Sequence, residues 1–131
     1  MKSLLVVALS LVTLMSCGSN HVGTTVTEEG DTLISKVVGG NEFKALIAVG
    51  GVQLIDVRTP GEYAAGKIGE AVNIDFFGDD FEKNILSLDK NLPTLVYCKS
   101  GNRSGKAAAK MKELGFREVY DLRGGYSGWA E

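Results

Sequence analysis

Short apolar runs alternate with segments of helical periodicity along most of the chain after residue 32. Runs rich in β-branched and aliphatic residues predict strands, and apolar residues three or four positions apart predict amphipathic helices. This alternation is typical of βαβ units, which build parallel sheets. The pattern therefore predicts an α/β domain with a small, mainly parallel sheet of about five strands, flanked by helices on both faces.

Each predicted element is bounded by turn-forming or helix-capping residues. The predicted strands are 33–38 at an edge, 52–57 in the centre, 71–74, 94–97 and 118–122. The predicted helices are one capped by Asn41 and closed by Gly50 and Gly51, one from Pro60 to Ala65, one whose apolar face runs from Ser104 to Leu114 and which stops at Gly115, and a short one within 124–129. The residues expected to pack in the core from a connecting helical segment are Phe76, Phe77, Phe81, Ile85 and Leu88, and Trp129 is expected to pack as well.

The first 16 residues have a different character from the rest. One lysine, Lys2, precedes an apolar run over residues 4–14. At about 1.5 Å per residue this run is roughly 16 Å long, about half the thickness of the bilayer hydrocarbon. It is therefore too short for a spanning helix, and it predicts a signal peptide over residues 1–16.

The end of this segment, Leu14-Met15-Ser16-Cys17, resembles the lipobox of bacterial lipoproteins, in which the cysteine becomes the lipidated first residue. The resemblance implies a lipid anchor on Cys17, a flexible tether over residues 17–31 and a domain over residues 32–131. It places the protein in the cell envelope. An aspartate after the lipidated cysteine would resemble a signal for retention in the inner membrane. Gly18 stands there instead, which favours the outer membrane, facing the periplasm. The alternative is simple secretion, in which Cys17 is incidental.

Charge and cysteine content narrow the classes of function. The chain has 14 basic and 16 acidic residues, a net charge of −2. No general affinity for nucleic acid is expected, and any anion site must be local. Cys17 and Cys98 are too few for a disulfide framework, and we expect no bridge between them. The one histidine, His21, falls in the tether, so a papain-like Cys-His pair has no histidine within the domain.

Cys98 lies where the strand 94–97 gives way to a helix. A backbone that turns from strand to helix directs several N–H groups at one spot, which favours a thiolate and lowers the pKa of the cysteine. Gly101 permits the tight turn, and Lys99 and Arg103 add positive charge at its rim. The pattern predicts a nucleophilic cysteine for an anionic substrate; the alternative is an inert buried thiol.

The length of this loop bears on the substrate. Cysteine phosphatases and arsenate reductases use a Cys-x5-Arg loop that holds a tetrahedral oxyanion, whereas four residues separate Cys98 from Arg103 here. The shorter loop encloses less space, which suits one extra sulfur atom, held on Cys98 as a persulfide. A phosphatase or arsenate reductase is the less favoured interpretation.

Three separated motifs resemble the rhodanese family of sulfurtransferases, and together they extend over about residues 35–129. They are DVRTPGEY at 56–63, which continues through 66–68 to 71–74, CKSGNRS at 98–104, and GGYSGW at 124–129. Two residues depart from the family pattern: Lys67 stands where histidine is usual, and Glu70 where glycine is usual. The resemblance implies a rhodanese-like α/β fold.

The resemblance also implies an activity. Cys98 would take a sulfane sulfur from thiosulfate or a similar donor and pass it to cyanide or a thiol. The substrate-binding residues it implies are Lys99, Ser100, Gly101, Asn102, Arg103 and Ser104, with Lys99 and Arg103 steering the anionic donor. No metal and no organic cofactor are expected, and a partner acceptor protein is left open.

Asp56 and Arg58 are expected to lie near the site and to fix the geometry of the loop, with Arg58 paired to Glu62 or Asp56. The alternative to an enzyme is a non-enzymatic sulfide carrier or partner-binding module of the same fold.

Overall fold

The computed structural model describes residues 32–129 of the 131-residue chain. Within this range five strands and five helices alternate. They are β1 (Ile34–Val38), α1 (Gly40–Val49), β2 (Gln53–Asp56), α2 (Pro60–Ala65), β3 (Val72–Asn73), α3 (Phe81–Leu86), β4 (Thr94–Tyr97), α4 (Asn102–Glu113), β5 (Glu118–Leu122) and α5 (Gly125–Trp129). The predicted signal peptide, the lipidated Cys17 and the tether lie outside the described residues. Among residues 32–129, every helix falls short of the length and apolar character that a transmembrane span requires.

The strands form one parallel sheet in the order β1-β5-β4-β2-β3. The prediction that β1 is an edge strand is confirmed. The strand predicted in the centre, β2, lies instead between the central strand β4 and the edge strand β3. All four residues of β4 are buried, since it is the central strand with helices on both faces. A parallel sheet brings the carboxyl ends of its strands to one edge. The ends of β2 and β4 therefore lie side by side, and the Val57 N–H donates to the Tyr97 carbonyl at 3.0 Å.

A hydrophobic core lies on each face of this sheet, which confirms helices on both sides. Successive residues of a strand point to opposite faces. The first core contains Ile55, Val96, Cys98 and Val119 of the strand layer, packed against Ile85 of α3 and Ala107 and Met111 of α4. The second contains Leu95, Tyr97, Tyr120 and Leu122, packed against Phe43 of α1 and the partly buried Tyr126 and Trp129 of α5. Cys98 thus belongs to the face that α4 covers.

Helix α4 presents small apolar residues to the sheet and lysines to solvent. Ala107, Ala108 and Met111 are buried, and Lys110 and Lys112 lie in the last turn, where positive charge complements the helix dipole. Gly115, with φ of +89°, follows the last turn as predicted. The small side chains of Ala107 and Ala108 let α4 approach β4 and β5 closely.

Two predictions about local structure are wrong. Helix α1 begins at Gly40 after Gly39, so Asn41 lies inside the helix and does not cap it. Phe77 is 69% exposed and is no core residue. Its spacing from Phe81 matches one helical face, but the helix begins only at Phe81, and Phe77 lies in the preceding turn with its N–H bonded to Asp75. The other four residues of that set pack on the first core.

Candidate active site

The Cys98 sulfur lies beneath the first turn of α4, directly after β4. The residue is only 1% exposed. Its Sγ accepts a hydrogen bond from the Gly101 N–H at 3.1 Å, and the buried Ser104 hydroxyl donates to it at 3.4 Å. Gly101 precedes α4 in a left-handed conformation, with φ of +105°, which lets the chain curl around the sulfur. The turn predicted from the sequence therefore closes on the sulfur atom.

Hydrogen bonds make this buried sulfur acidic. Burial by itself raises the pKa of the Cys98 thiol, because it disfavours the charged form. Hydrogen bonds to the sulfur lower the pKa, and their combined effect exceeds that of burial, so the pKa lies below its ordinary value. The donors are the Ser104 hydroxyl and the N–H groups of Ser104, Gly101 and Ser100. The lowered pKa predicted from the sequence is confirmed.

The start of α5 holds the base of this loop. The Tyr126 N–H donates to the Cys98 carbonyl at 2.7 Å, and the Ser127 N–H donates to the Lys99 carbonyl at 3.0 Å. Gly125, with φ of +59°, lies so close that a Cβ there would be 2.5 Å from the Cys98 carbonyl oxygen. The sequence alone gives this motif no role at the site. Its signal was the pair of consecutive glycines, which indicates a close approach of two backbones.

Asp56 and Arg58 form a buried ion pair at the carboxyl end of β2. The Arg58 Nε lies 3.0 Å from both oxygens of Asp56, and Nη2 lies 2.6 Å from Oδ2. Nη2 also donates to the Gly66 carbonyl, and the guanidinium lies 4.1 Å from the centroid of the Tyr126 ring. Of the two partners expected for Arg58, the structure shows Asp56. Through Tyr126 this pair reaches the base of the Cys98 loop.

Arg103 is paired with Glu62 of α2. The two nitrogens Nη1 and Nη2 donate to Oε1 and Oε2 of Glu62 at 2.7 and 3.1 Å. The hydrogen bonds from Arg103, together with those from Thr59, exceed the effect of burial, which raises the pKa, and they lower the pKa of Glu62 to about 2. From the sequence, Glu62 is expected only as a partner of Arg58. The charge of Arg103 is thus balanced, whereas the exposed Lys99 makes no ion pair with any residue of the described range.

The remaining predicted residues lie at the surface. Ser100 and Asn102 are exposed, so the loop contributes backbone N–H groups to the sulfur rather than these side chains. Lys67 donates to the Tyr63 hydroxyl at 3.1 Å, and both Lys67 and Glu70 are exposed. Across residues 32–129 no group of three or more histidine, cysteine, aspartate or glutamate side chains is arranged to hold a metal ion.

Residues 40–131 match the family model of the rhodanese-like domain. The chain belongs to the rhodanese-like family. The thiosulfate sulfurtransferase GlpE of Pseudomonas entomophila is 40% identical to it over 95 residues, which cover 72% of this chain and 84% of that protein. The human single-domain sulfurtransferase TSTD1 superposes on it with a TM-score of 0.60 at 25% identity, covering 72% of this chain and 94% of that one. The predicted rhodanese-like fold is confirmed.

Rhodanese-like domains also occur in proteins of other function. A tRNA uridine(34) hydroxylase of Cytophaga hutchinsonii is 40% identical over 87 residues, which cover 64% of this chain but only 28% of the hydroxylase. The homologues therefore support sulfur transfer at the level of the family. The specific activity of this rhodanese-like domain depends on the chemistry of its own site.

Replacing Gly125 with alanine tests how the loop is held. The new Cβ would collide with the Cys98 carbonyl, and an alanine is strained at this positive φ. We expect the free energy of unfolding to fall by about 1–3 kcal/mol or more, and alkylation of Cys98 to slow because the loop is displaced. Gly128→Ala is the matched control, since nothing lies within 4 Å of a Cβ there. Equal stability and alkylation rates for the two variants would contradict this role of Gly125.

Proposed function

We propose that the chain is a sulfurtransferase that moves a sulfane sulfur from thiosulfate or a similar donor to cyanide or a thiol, through a persulfide on Cys98. One observation carries the proposal: the N–H of Gly101 and the hydroxyl of Ser104 both point at a buried Cys98 sulfur whose pKa is lowered. Fixed donors of this kind stabilise negative charge as it develops on a reacting atom. They suit both the thiolate and the persulfide.

In the first step the Cys98 thiolate attacks the outer sulfur of the donor. A new S–S bond forms, the S–S bond within thiosulfate breaks, and its electron pair leaves with sulfite. In the second step the acceptor attacks the outer sulfur of the persulfide, and the S–S bond to Cys98 breaks, which restores the thiolate. The two steps are covalent catalysis by an activated nucleophile and balance without an external oxidant or reductant.

The charged residues around the loop have different roles. Lys99 is exposed and makes no ion pair among the described residues, so it is the cation that we expect to attract an anionic donor. Arg103 is bound at both nitrogens by Glu62, so its role is to fix the first turn of α4 against α2. Asp56 and Arg58 support the loop through Tyr126.

Mass spectrometry of the full chain after treatment with thiosulfate tests the proposal. We expect a gain of one sulfur that disappears on addition of cyanide, with thiocyanate formed over many turnovers. Cys98→Ser should gain no sulfur, and its transfer rate should fall to the background, because a hydroxyl at this position is not ionised. Cys17→Ser keeps Cys98 as its only thiol and is the matched control.

Three results distinguish the interpretations. Sulfur transfer by Cys98→Ser would contradict the proposed mechanism. A persulfide that forms without turnover would contradict the enzyme and favour the carrier. No sulfur gain at all, in a folded protein, would contradict both and favour a partner-binding module.

We further propose that acyl chains on Cys17 hold the protein at the cell envelope, on the outer membrane facing the periplasm. The support is the apolar run over residues 4–14 followed by Leu14-Met15-Ser16-Cys17. Each buried methylene of an acyl chain contributes about 0.8 kcal/mol, so several chains give firm anchoring. Cell fractionation should place the protein with the membranes. The Cys17→Ser variant should either keep its signal peptide unprocessed or appear in the soluble fraction. A soluble, unlipidated wild-type protein would contradict the anchor.

A further inference from the structure

Phe77 is an exposed aromatic side chain beside the active-site loop. It is 69% exposed, and its ring centroid lies 5.8 Å from the guanidinium carbon of Arg103, the residue that ends the Cys98 loop. The chain reaches this place along the carboxyl edge of the sheet, because the Phe76 N–H donates to the Val57 carbonyl at 3.1 Å, directly after β2. The steps proposed above give Phe77 no role.

Phe77 is continuous with an apolar groove between α3 and α4. Its ring packs edge to face on Phe76 at 5.5 Å between centroids, and Phe76 packs in the same way on Phe81 of α3 at 5.1 Å. Phe76 and Phe81 form one wall of the groove, which has a volume of about 410 Å³. The other wall consists of four residues that share one face of α4: Lys106, Ala109, Lys110 and Glu113. One exposed apolar side chain is ordinary, but this apolar surface extends from the active-site loop along α4.

The two lysines of the groove differ in their partners. Lys110 is paired with Glu82 of α3, at 2.9 Å between Nζ and Oε2. Lys106 lies one turn after Arg103 and makes no ion pair with any residue of the described range. The α4 wall therefore carries an unbalanced positive charge at the end of the groove that is nearer to the Cys98 loop.

We propose that Phe77 and this groove are the docking surface for an acceptor protein whose thiol lies beside an apolar side chain and an acidic one. The apolar side chain packs on Phe77 and enters the groove, and the acidic side chain pairs with Lys106. The exposed Asp79 and Asp80 at the start of α3 restrict the acidic side chain to the α4 wall. The inference rests on the proposed function, because it concerns the thiol that takes the sulfur from Cys98.

The shape of the groove favours a protein over a small thiol. The groove is open to solvent along its length, whereas sites for small molecules enclose most of the ligand surface. Aromatic side chains beside such grooves are typical of the residues that dominate binding between proteins. The Cys98 sulfur is almost fully buried, so the acceptor thiol must lie on a segment that projects from the partner. Docking on Phe77 would hold such a segment over the loop.

Fluorescence anisotropy of two short labelled peptides with the full chain tests the inference. In the first peptide a serine, in place of the acceptor cysteine, is flanked by leucine and aspartate, and in the second it is flanked by serine and lysine. We expect the first peptide to bind about tenfold more tightly. Phe77→Ser should remove most of this difference, and Lys106→Glu should remove or reverse it, because it repels the aspartate. Val49→Ser is the matched control, since Val49 is 85% exposed at the end of α1, on the other face of the sheet.

Sulfur transfer from thiosulfate is the second measurement. With the cysteine form of the first peptide as acceptor, Phe77→Ser should raise the KM about tenfold. Transfer to cyanide should stay unchanged, because cyanide is too small to contact the groove. An equal rise in KM with benzyl mercaptan would assign the groove to small thiols and overturn the protein partner.

Equal binding of the two peptides to the unmodified chain would also overturn the inference. So would a preference for the first peptide that persists in both Phe77→Ser and Lys106→Glu. Peptide binding requires no sulfur transfer, whereas the reaction with cyanide requires no docking. The failure of the docking surface is therefore distinguishable from the failure of the proposed function.

Discussion

The hydrogen bonds to the Cys98 sulfur are the interaction on which the rest of the site depends. The sulfur is almost completely removed from water, so a negative charge on it can be stabilised only by groups that the fold fixes in place. The Gly101 N–H and the Ser104 hydroxyl supply that stabilisation at 3.1 and 3.4 Å. Because these donors need no rearrangement when charge appears, they favour the thiolate at rest and an attached sulfur anion after reaction. A small displacement of the loop would weaken every one of these bonds at once.

The surrounding structure can be understood as the means of keeping those donors still. The parallel sheet places the ends of β2 and β4 side by side, and the first turn of α4 rests over β4 because its sheet-facing residues are small. Gly125 lets α5 approach the base of the loop, where Tyr126 binds the Cys98 carbonyl. The Arg103–Glu62 pair joins α4 to α2. This partly buried pair contributes geometry more than net stability, because the loss of hydration offsets much of the attraction between the charges.

The sequence predicts the order of the elements and the place of the nucleophile, since both follow from local patterns. Unbroken apolar runs such as 94–97 mark the strands, and the change to helical periodicity after Cys98 marks the turn. Partners distant in sequence were missed, because Glu62 lies 41 residues from Arg103 and no local pattern pairs them. Phe77 was misplaced because a matching helical spacing does not show where a helix begins.

We infer that the fold makes Cys98 a thiolate by hydrogen bonding rather than by a neighbouring base. An NMR titration of the Cys98 Cβ, labelled with carbon-13, in the native protein and in the urea-unfolded chain tests this inference. We expect a native pKa below that of the unfolded chain, which should show the value of about 8.5 typical of a free cysteine. A native pKa equal to or above the unfolded value would mean that burial prevails over the hydrogen bonds, and it would contradict this inference.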